Sequence, residues 1–145
     1  LPHLRKSKGS LVFISSVAGI RGLPFLSAYS SSKMALRAIT DSIRVEESES
    51  GIHVGLIYVG MTEVENSKQT IMADGSLKVL ADRNAKKVQT TEQVAHAILK
   101  NIRKRKYRTV LSGLGRLNAI MDRISPWIGE KVLIIGKKKI QSESN

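Results

Sequence analysis

Three short apolar runs, separated by amphipathic stretches, set the plan of this chain. Leu11–Ile14 is continuous, contains Val12 and Ile14, and is bounded by Gly9 and by Ser15 and Ser16; this is the pattern of a strand buried on both faces. Ile52–Val59 follows the helix stop Ser50-Gly51 and predicts a second strand, and Arg108–Ser112 predicts a short third. Between the first two, a helix from about Ala28 to Glu47 is expected. It carries two apolar faces, Leu36/Ile39/Ile43 and Ala35/Ala38/Val45, with small residues that let another helix come close. Before the third strand, Thr90 and Gln93 have capping-box spacing, and Val94, Ile98 and Ile102 form one stripe of a helix ending near Arg105. The alternation is β-α-β-α-β, which predicts an α/β fold with a parallel sheet and right-handed crossovers.

The remaining stretches are less regular. Leu1–Lys8 reads as the end of an amphipathic helix with Gly9 as its C-terminal cap. Gly19, Gly22 and Pro24 make a loop in which Phe25 and Leu26 offer apolar contact, or which is turn chemistry alone. Glu63–Gln89 is polar and weakly periodic, either a lid over a site or a surface excursion. Leu114–Ile135 sets Leu114, Leu117, Ile120, Met121 and Ile124 before Pro126-Trp127 and Val132–Ile135, flanked by Arg116, Arg123, Lys131 and Lys137–Lys139. An amphipathic, basic extension over 114–145 of this kind can lie in a membrane interface or wall a hydrophobic pocket.

Chemistry enters at the first strand. Ser16 closes it, at the end where open α/β sheets bind ligands. Tyr29 and Lys33 are four residues apart, so on a helix their side chains share a face one turn apart. A free tyrosine has a pKa of about 10 and is a poor acid or base at neutral pH, whereas a neighbouring ammonium stabilises its phenolate. Ser16 could then donate a hydrogen bond to a carbonyl oxygen while Tyr29 supplies the proton.

These residues resemble the catalytic signature of the short-chain dehydrogenase/reductase family: a serine closing a strand in ISSVAG, a tyrosine 13 positions later, and Y-x-x-x-K as Tyr29-Ser-Ser-Ser-Lys33. The resemblance implies the C-terminal, catalytic part of a Rossmann-like, doubly wound parallel sheet, spanning residues 1–145, with the nucleotide-binding half absent. It implies an oxidoreductase moving a hydride between NADP or NAD and a carbonyl or secondary alcohol. By the family's mechanism Tyr29 is the general acid/base, Lys33 tunes it and binds the nicotinamide ribose, and Ser16 orients the substrate oxygen. The family carries Pro-Gly here, then a β-branched residue whose backbone grips the nicotinamide carboxamide. Gly60 and Thr62 take the glycine and β-branched places as cofactor-binding residues, while Val59 replaces the proline and Val64 stands where a threonine is usual. A homodimer through the helix following Tyr29 is also implied. This half alone is expected to be inactive, with NAD or NADP choice unreadable.

Composition narrows the alternatives. With no cysteine and three scattered histidines there is no disulfide framework or thiolate metal site, and no metal is expected. His96 has no second ligand at i+4. No signal peptide pattern is visible, and the longest stretch free of charged residues, Ser50–Thr62, falls short of the ~18 apolar residues a spanning helix needs. A cytoplasmic enzyme is expected, peripheral to a membrane if the C-terminal segment is interfacial. The net charge is +12, with excess in Arg103–Arg108 and Lys137–Lys139. Such runs are solvated or suit an anionic membrane surface or nucleic acid; a basic binding module is the alternative function. Aromatic content of 4% leaves no stacking platform, so nucleic acid is disfavoured and a small-molecule carbonyl or alcohol is the expected partner.

Overall fold

The computed structural model describes residues 1–63, 69–72, 74–79 and 88–144. Its elements are α1 (Pro2–Ser7), β1 (Ser10–Ser16), a 3₁₀ turn over Val17–Gly19, α2 (Ser27–Glu46), β2 (His53–Val59), β3 (Gln69–Ile71), β4 (Leu77–Val79), α3 (Thr91–Arg103), β5 (Arg108–Val110), α4 (Gly113–Ile124) and α5 (Pro126–Ser144). The three anticipated strands form one parallel sheet in the order β1-β2-β5. Ser10 pairs with His53 and Ser16 with Val59, so β1 and β2 end level with each other.

Burial is concentrated on the middle strand. Six of the seven β2 residues, His53 through Tyr58, are buried. Leu56 and Tyr58 meet Ile20, with Phe13, Val17, Leu36, Val110 and Ala119 packed around them. β1 does not meet the expectation of burial on both faces: among the described residues it pairs with β2 alone, and Ile14 remains 41% exposed. A strand at the edge of the sheet lacks the neighbour and the covering layer that the apolar run would fill.

Successive strand residues point to opposite faces, and this exposes a second difference from expectation. Leu56 packs with Leu36 of α2, whereas a Cβ built on Gly55 would lie 2.5 Å from Asn101 Oδ1 of α3. The two helices therefore cover opposite faces of a sheet whose connections both step in the same direction. Their crossovers have opposite hands, and right-handedness does not hold for both. The long connection between Gly60 and Thr90 carries the chain to the other face.

Local chemistry explains the element ends. Thr90 forms the anticipated capping box, its hydroxyl accepting from Gln93 N at 3.1 Å and Gln93 Oε1 accepting from Thr90 N at 3.1 Å. In α1 the left-handed C-cap is Lys8, with φ of 49°, rather than Gly9. A Cβ on Gly9 would sit 2.8 Å from Leu4 Cδ2, the movable end of that side chain. Arg5 forks onto the buried Glu47 carboxylate, tying α1 to the end of α2; this hydrogen bond holds the Glu47 carboxyl below its ordinary value.

The polar connection contains an unanticipated antiparallel hairpin, β3 with β4, turned at Asp74-Gly75 where Gly75 has φ of 82°. Its parts over 64–68, 73 and 80–87, including Val64, lie outside the described residues. The C-terminal stretch is two helices broken at Ser125, because Pro126 begins α5 as a residue without an amide donor. Leu117, Ile120 and Ile124 of α4 and Trp127, Val132 and Ile135 of α5 are exposed. Among the described residues no helix is long and apolar enough to cross a membrane.

Gly55 gives a direct test of this packing. Gly55→Ala forces a methyl against Asn101 Oδ1 and, at 3.1 Å, His53 Cε1. Both are buried, so urea unfolding is expected to show a loss of about 1–3 kcal/mol. An unchanged midpoint would mean that α3 does not approach β2 as described.

Candidate active site

The site is built at the C-terminal ends of β1 and β2. Ser16 ends β1, and its hydroxyl accepts from Ala18 N at 3.3 Å as the cap of the 3₁₀ turn. A hydroxyl that accepts in this way keeps its own O–H as a donor. Tyr29 and Lys33 lie on the first two turns of α2, with Lys33 Nζ 5.7 Å from the Tyr29 ring centroid. Tyr29 is 45% exposed and Lys33 is half-buried. The ammonium thus faces the aromatic ring, as the four-residue spacing predicts.

The end of β1 and the turn after Ser16 are held against α2 by residues other than Ser16, Tyr29 and Lys33. Ser15 is buried, and its Oγ donates to the Lys33 carbonyl oxygen at 2.8 Å. A Cβ on Gly19 would lie 2.7 Å from that same carbonyl oxygen and against Ser15 Oγ. Gly19 is therefore needed for close approach of two backbones, not for the turn conformation its sequence suggests. Further along, the buried Ser30 Oγ accepts from Leu23 N at 3.2 Å, fastening the loop to the helix one residue after Tyr29. Phe25 is 59% exposed with φ of 63°, so the loop's apolar contact falls to its neighbours. A serine beside the strand's last residue and a glycine three residues on were the available signals for Ser15 and Gly19.

Environment separates the three tyrosines. Tyr58 is in the core, where burial pushes its phenol above the ordinary value. Tyr107 is raised mainly by burial and then by donating to Asp41, and its ring lies 4.3 Å from each of the Arg44 and Arg108 guanidinium carbons. Tyr29 alone stands at the mouth of the parallel strands beside a lysine. His53 is also buried, with Nδ1 on Ser10 Oγ at 3.2 Å and Nε2 on the Lys106 carbonyl at 3.0 Å, at the opposite end of the sheet.

Gly60 and Thr62 follow β2 directly. A Cβ on Gly60 would lie 3.1 Å from Ser112 Cβ, so the glycine lets the start of α4 come close. Ser112 caps α4 by accepting from Gly115 N at 3.0 Å, and a Cβ on Gly115 would meet Val17 Cγ1 at 2.7 Å. The first turn of α4 is thereby fitted between the loops leaving β1 and β2. Thr62 Oγ1 donates to the Gly60 carbonyl at 3.4 Å, and Thr62 forms a parallel bridge with Gln89. Glu63 fastens the same neck, its carboxylate accepting from Thr91 N at 2.7 Å and Thr91 Oγ1 at 2.9 Å.

The loop after Ser16 also meets the C-terminal helices. Arg21 pairs with Asp122 of α4 at 3.0 Å, and a Cβ on Gly129 of α5 would lie 2.6 Å from Arg21 Nη1. Beyond this pair, Leu23, Pro24, Leu133 and Ile134, with Arg21, Glu130 and Lys137, line a cleft of about 350 Å³. Among the described residues no cluster of His, Asp and Glu could hold a metal ion.

Comparison with known proteins places the chain in a family. Residues 1–75 match the family model for short chain dehydrogenase. The zebrafish (Danio rerio) dehydrogenase/reductase SDR family member 7B is 35% identical over 115 residues, covering 79% of this chain and 37% of that protein. The uncharacterized oxidoreductase YusZ of Bacillus subtilis is 28% identical over 98% of this chain and 56% of its own length. Among solved structures, a Burkholderia cenocepacia short chain dehydrogenase in complex with NADP superposes with a TM-score of 0.71 at 16% identity, over 91% of this chain and 50% of that one. A Sphingobium yanoikuyae short-chain dehydrogenase in complex with NADPH gives 0.59 at 20% identity, over 88% and 48%. The chain belongs to the short-chain dehydrogenase/reductase family. It spans roughly a third to just over a half of the length of these relatives.

Two contacts make testable statements. Gly19→Ala drives a methyl into the Lys33 carbonyl, so thermal unfolding should show destabilisation of about 1–3 kcal/mol. An unaltered melting temperature would show that the turn and helix are not in contact. Thr91's amide hydrogen bond, followed by that of its hydroxyl, holds the Glu63 carboxyl below its ordinary value. A depressed carboxyl stabilises the fold above the unfolded value of about 4.3 and ceases to do so as pH falls through the lower folded value. Hydrogen exchange, corrected for its intrinsic pH dependence, should show Thr91 N–H protection falling across that acidic window, and Glu63→Gln should remove the pH dependence.

Proposed function

We propose that this chain forms the catalytic part of an NAD(P)-dependent oxidoreductase that transfers a hydride between nicotinamide and a carbonyl or secondary alcohol. The observation that carries the reading is the Tyr29–Lys33 pair, 5.7 Å from ammonium to ring centroid, on a helix whose backbone is fastened through Ser15 to the strand end that carries Ser16. The relatives' names support the reaction class, and the NADP and NADPH of the neighbouring structures support the cofactor.

In the direction of reduction, Ser16 O–H donates to the carbonyl oxygen and draws electron density toward it. The nicotinamide cofactor, when bound, supplies the hydride to the carbonyl carbon. Tyr29 passes its phenolic proton to the oxygen, so the C=O bond becomes C–H and O–H. Lys33 stabilises the negative charge left on the phenol. In oxidation each proton moves in reverse. The donor set fits the cofactor: the backbone course from Gly60 to Thr62 suits a carboxamide, and Lys33 suits ribose hydroxyls.

The aliphatic residues of the cleft between Leu23-Pro24 and α5 support an apolar substrate. Exposed Met34, Ile39 and Val45 on α2 support pairing with a second copy, and the exposed apolar residues of α4 and α5, with Arg123, Lys131 and Lys137, support peripheral contact with an anionic membrane. The nucleic-acid alternative loses ground because two arginines of the basic run, Arg105 and Arg108, are engaged within the chain. Arg105 donates to the Lys8 and Gly51 carbonyls, and Arg108 reaches Tyr107 and Asp41. By itself the 145-residue chain is expected to turn over no ketone, since a dinucleotide gains from it only contacts at the nicotinamide end.

Tyr29→Phe in the full-length protein tests the assignment. It removes the transferable proton while keeping the ring, and turnover should fall at least about a hundredfold with the fold unchanged by circular dichroism. Near-normal turnover would remove Tyr29 from the chemistry.

A further inference from the structure

Gln89 makes more contacts with the loop after β2 than any sequence motif accounts for. Its Oε1 accepts from Gly60 N at 3.3 Å. Its own N–H donates to the Met61 carbonyl at 2.9 Å, and its carbonyl accepts from Glu63 N at 3.0 Å. One residue thus holds Gly60, Met61 and Glu63 from a single side. Gln89 is half-buried and directly precedes Thr90, the cap of α3, so it is itself anchored to a helix that packs on β2.

The geometry of a parallel bridge gives this clamp a direction. Where one residue bonds to the two neighbours of its partner, the partner's own peptide N–H and C=O point the opposite way. Here the partner is Thr62. Gln89 therefore turns the Thr62 peptide groups to the side away from itself, while its side chain fixes the residue at which the loop leaves the sheet. A primary carboxamide needs one donor and one acceptor side by side, which an extended residue presents with its own N–H and C=O on one edge.

We propose that Gln89 is a positioning residue for the nicotinamide end of the cofactor, setting the course of Gly60–Glu63 without touching the ligand. This rests on the oxidoreductase reading above. Its side-chain amide matters as a hydrogen-bond acceptor, because its backbone contacts survive most substitutions whereas the Gly60 N–H contact needs the oxygen. Loss of that oxygen frees the loop to wander at the point where a dinucleotide's reactive end must be held.

The test compares Gln89→Leu with Gln89→Glu in the full-length protein, using calorimetry with NAD or NADP, whichever the wild type binds more tightly. Each is also titrated with the matching ADP-ribose fragment, which lacks nicotinamide. Gln89→Leu keeps the bulk but not the acceptor, and should weaken dinucleotide binding about five- to tenfold while leaving the fragment within about twofold. Gln89→Glu keeps an acceptor and should stay close to wild type. If Gln89→Leu does not fold, Gln89→Asn, too short to reach Gly60, carries the same expectation. Equal weakening of both ligands, no weakening of either, or Gln89→Glu behaving like Gln89→Leu would each overturn the proposal. A wild type that binds neither dinucleotide would overturn the oxidoreductase reading and this inference together, and is distinguishable because it needs no variant.

Discussion

The parallel pairing of β1 with β2 is the constraint on which the rest of this chain depends. Its register ends Ser16 opposite Val59, which brings the turn carrying the serine and the loop carrying Gly60 to the same height at the same edge. In a parallel sheet every strand presents its C-terminal end on that edge, so chemistry brought there by one strand meets what the next one brings. A slip of one residue would turn Leu56 and Tyr58 away from α2 and expose the core they make with Phe13 and Leu36. Packing of the core and alignment of the site are therefore one interaction.

On that frame the site is assembled by close backbone approach. Gly19 lies against Lys33, Gly60 against Ser112, and Gly115 against Val17 and Val110. At each place a Cβ would crowd the facing element, most severely at Gly19, where it meets backbone. Hydrogen bonds then fix what the glycines permit: Ser15 to the Lys33 carbonyl, Ser30 to the Leu23 amide, and Gln89 along the loop from Gly60 to Glu63. The buried core is small, and many apolar side chains on α2, α4 and α5 remain exposed. Stability and site geometry lean on the same few contacts around β2.

Much of this was legible in the sequence because it depends on local spacing. The apolar runs identified all three strands of the parallel sheet, the Thr90–Gln93 spacing marked the start of α3, and the four-residue step from Tyr29 to Lys33 sufficed to stack them on one face. Helix period and cap chemistry act over a few residues, so the residues themselves determine them. What only the tertiary structure decided involves partners distant in the chain. Tyr29 is distinguished from Tyr58 and Tyr107 by what surrounds each, Gly19 and Gly55 by what lies opposite, and the hand of the crossovers by which face α3 covers after a connection of some thirty residues. The clamp by Gln89 belongs there too, since no local pattern reports that a residue before a helix cap will return to a strand end 29 positions earlier. Those outcomes follow from volume and hydrogen-bond satisfaction in the packed state, which exist only once the strands have met.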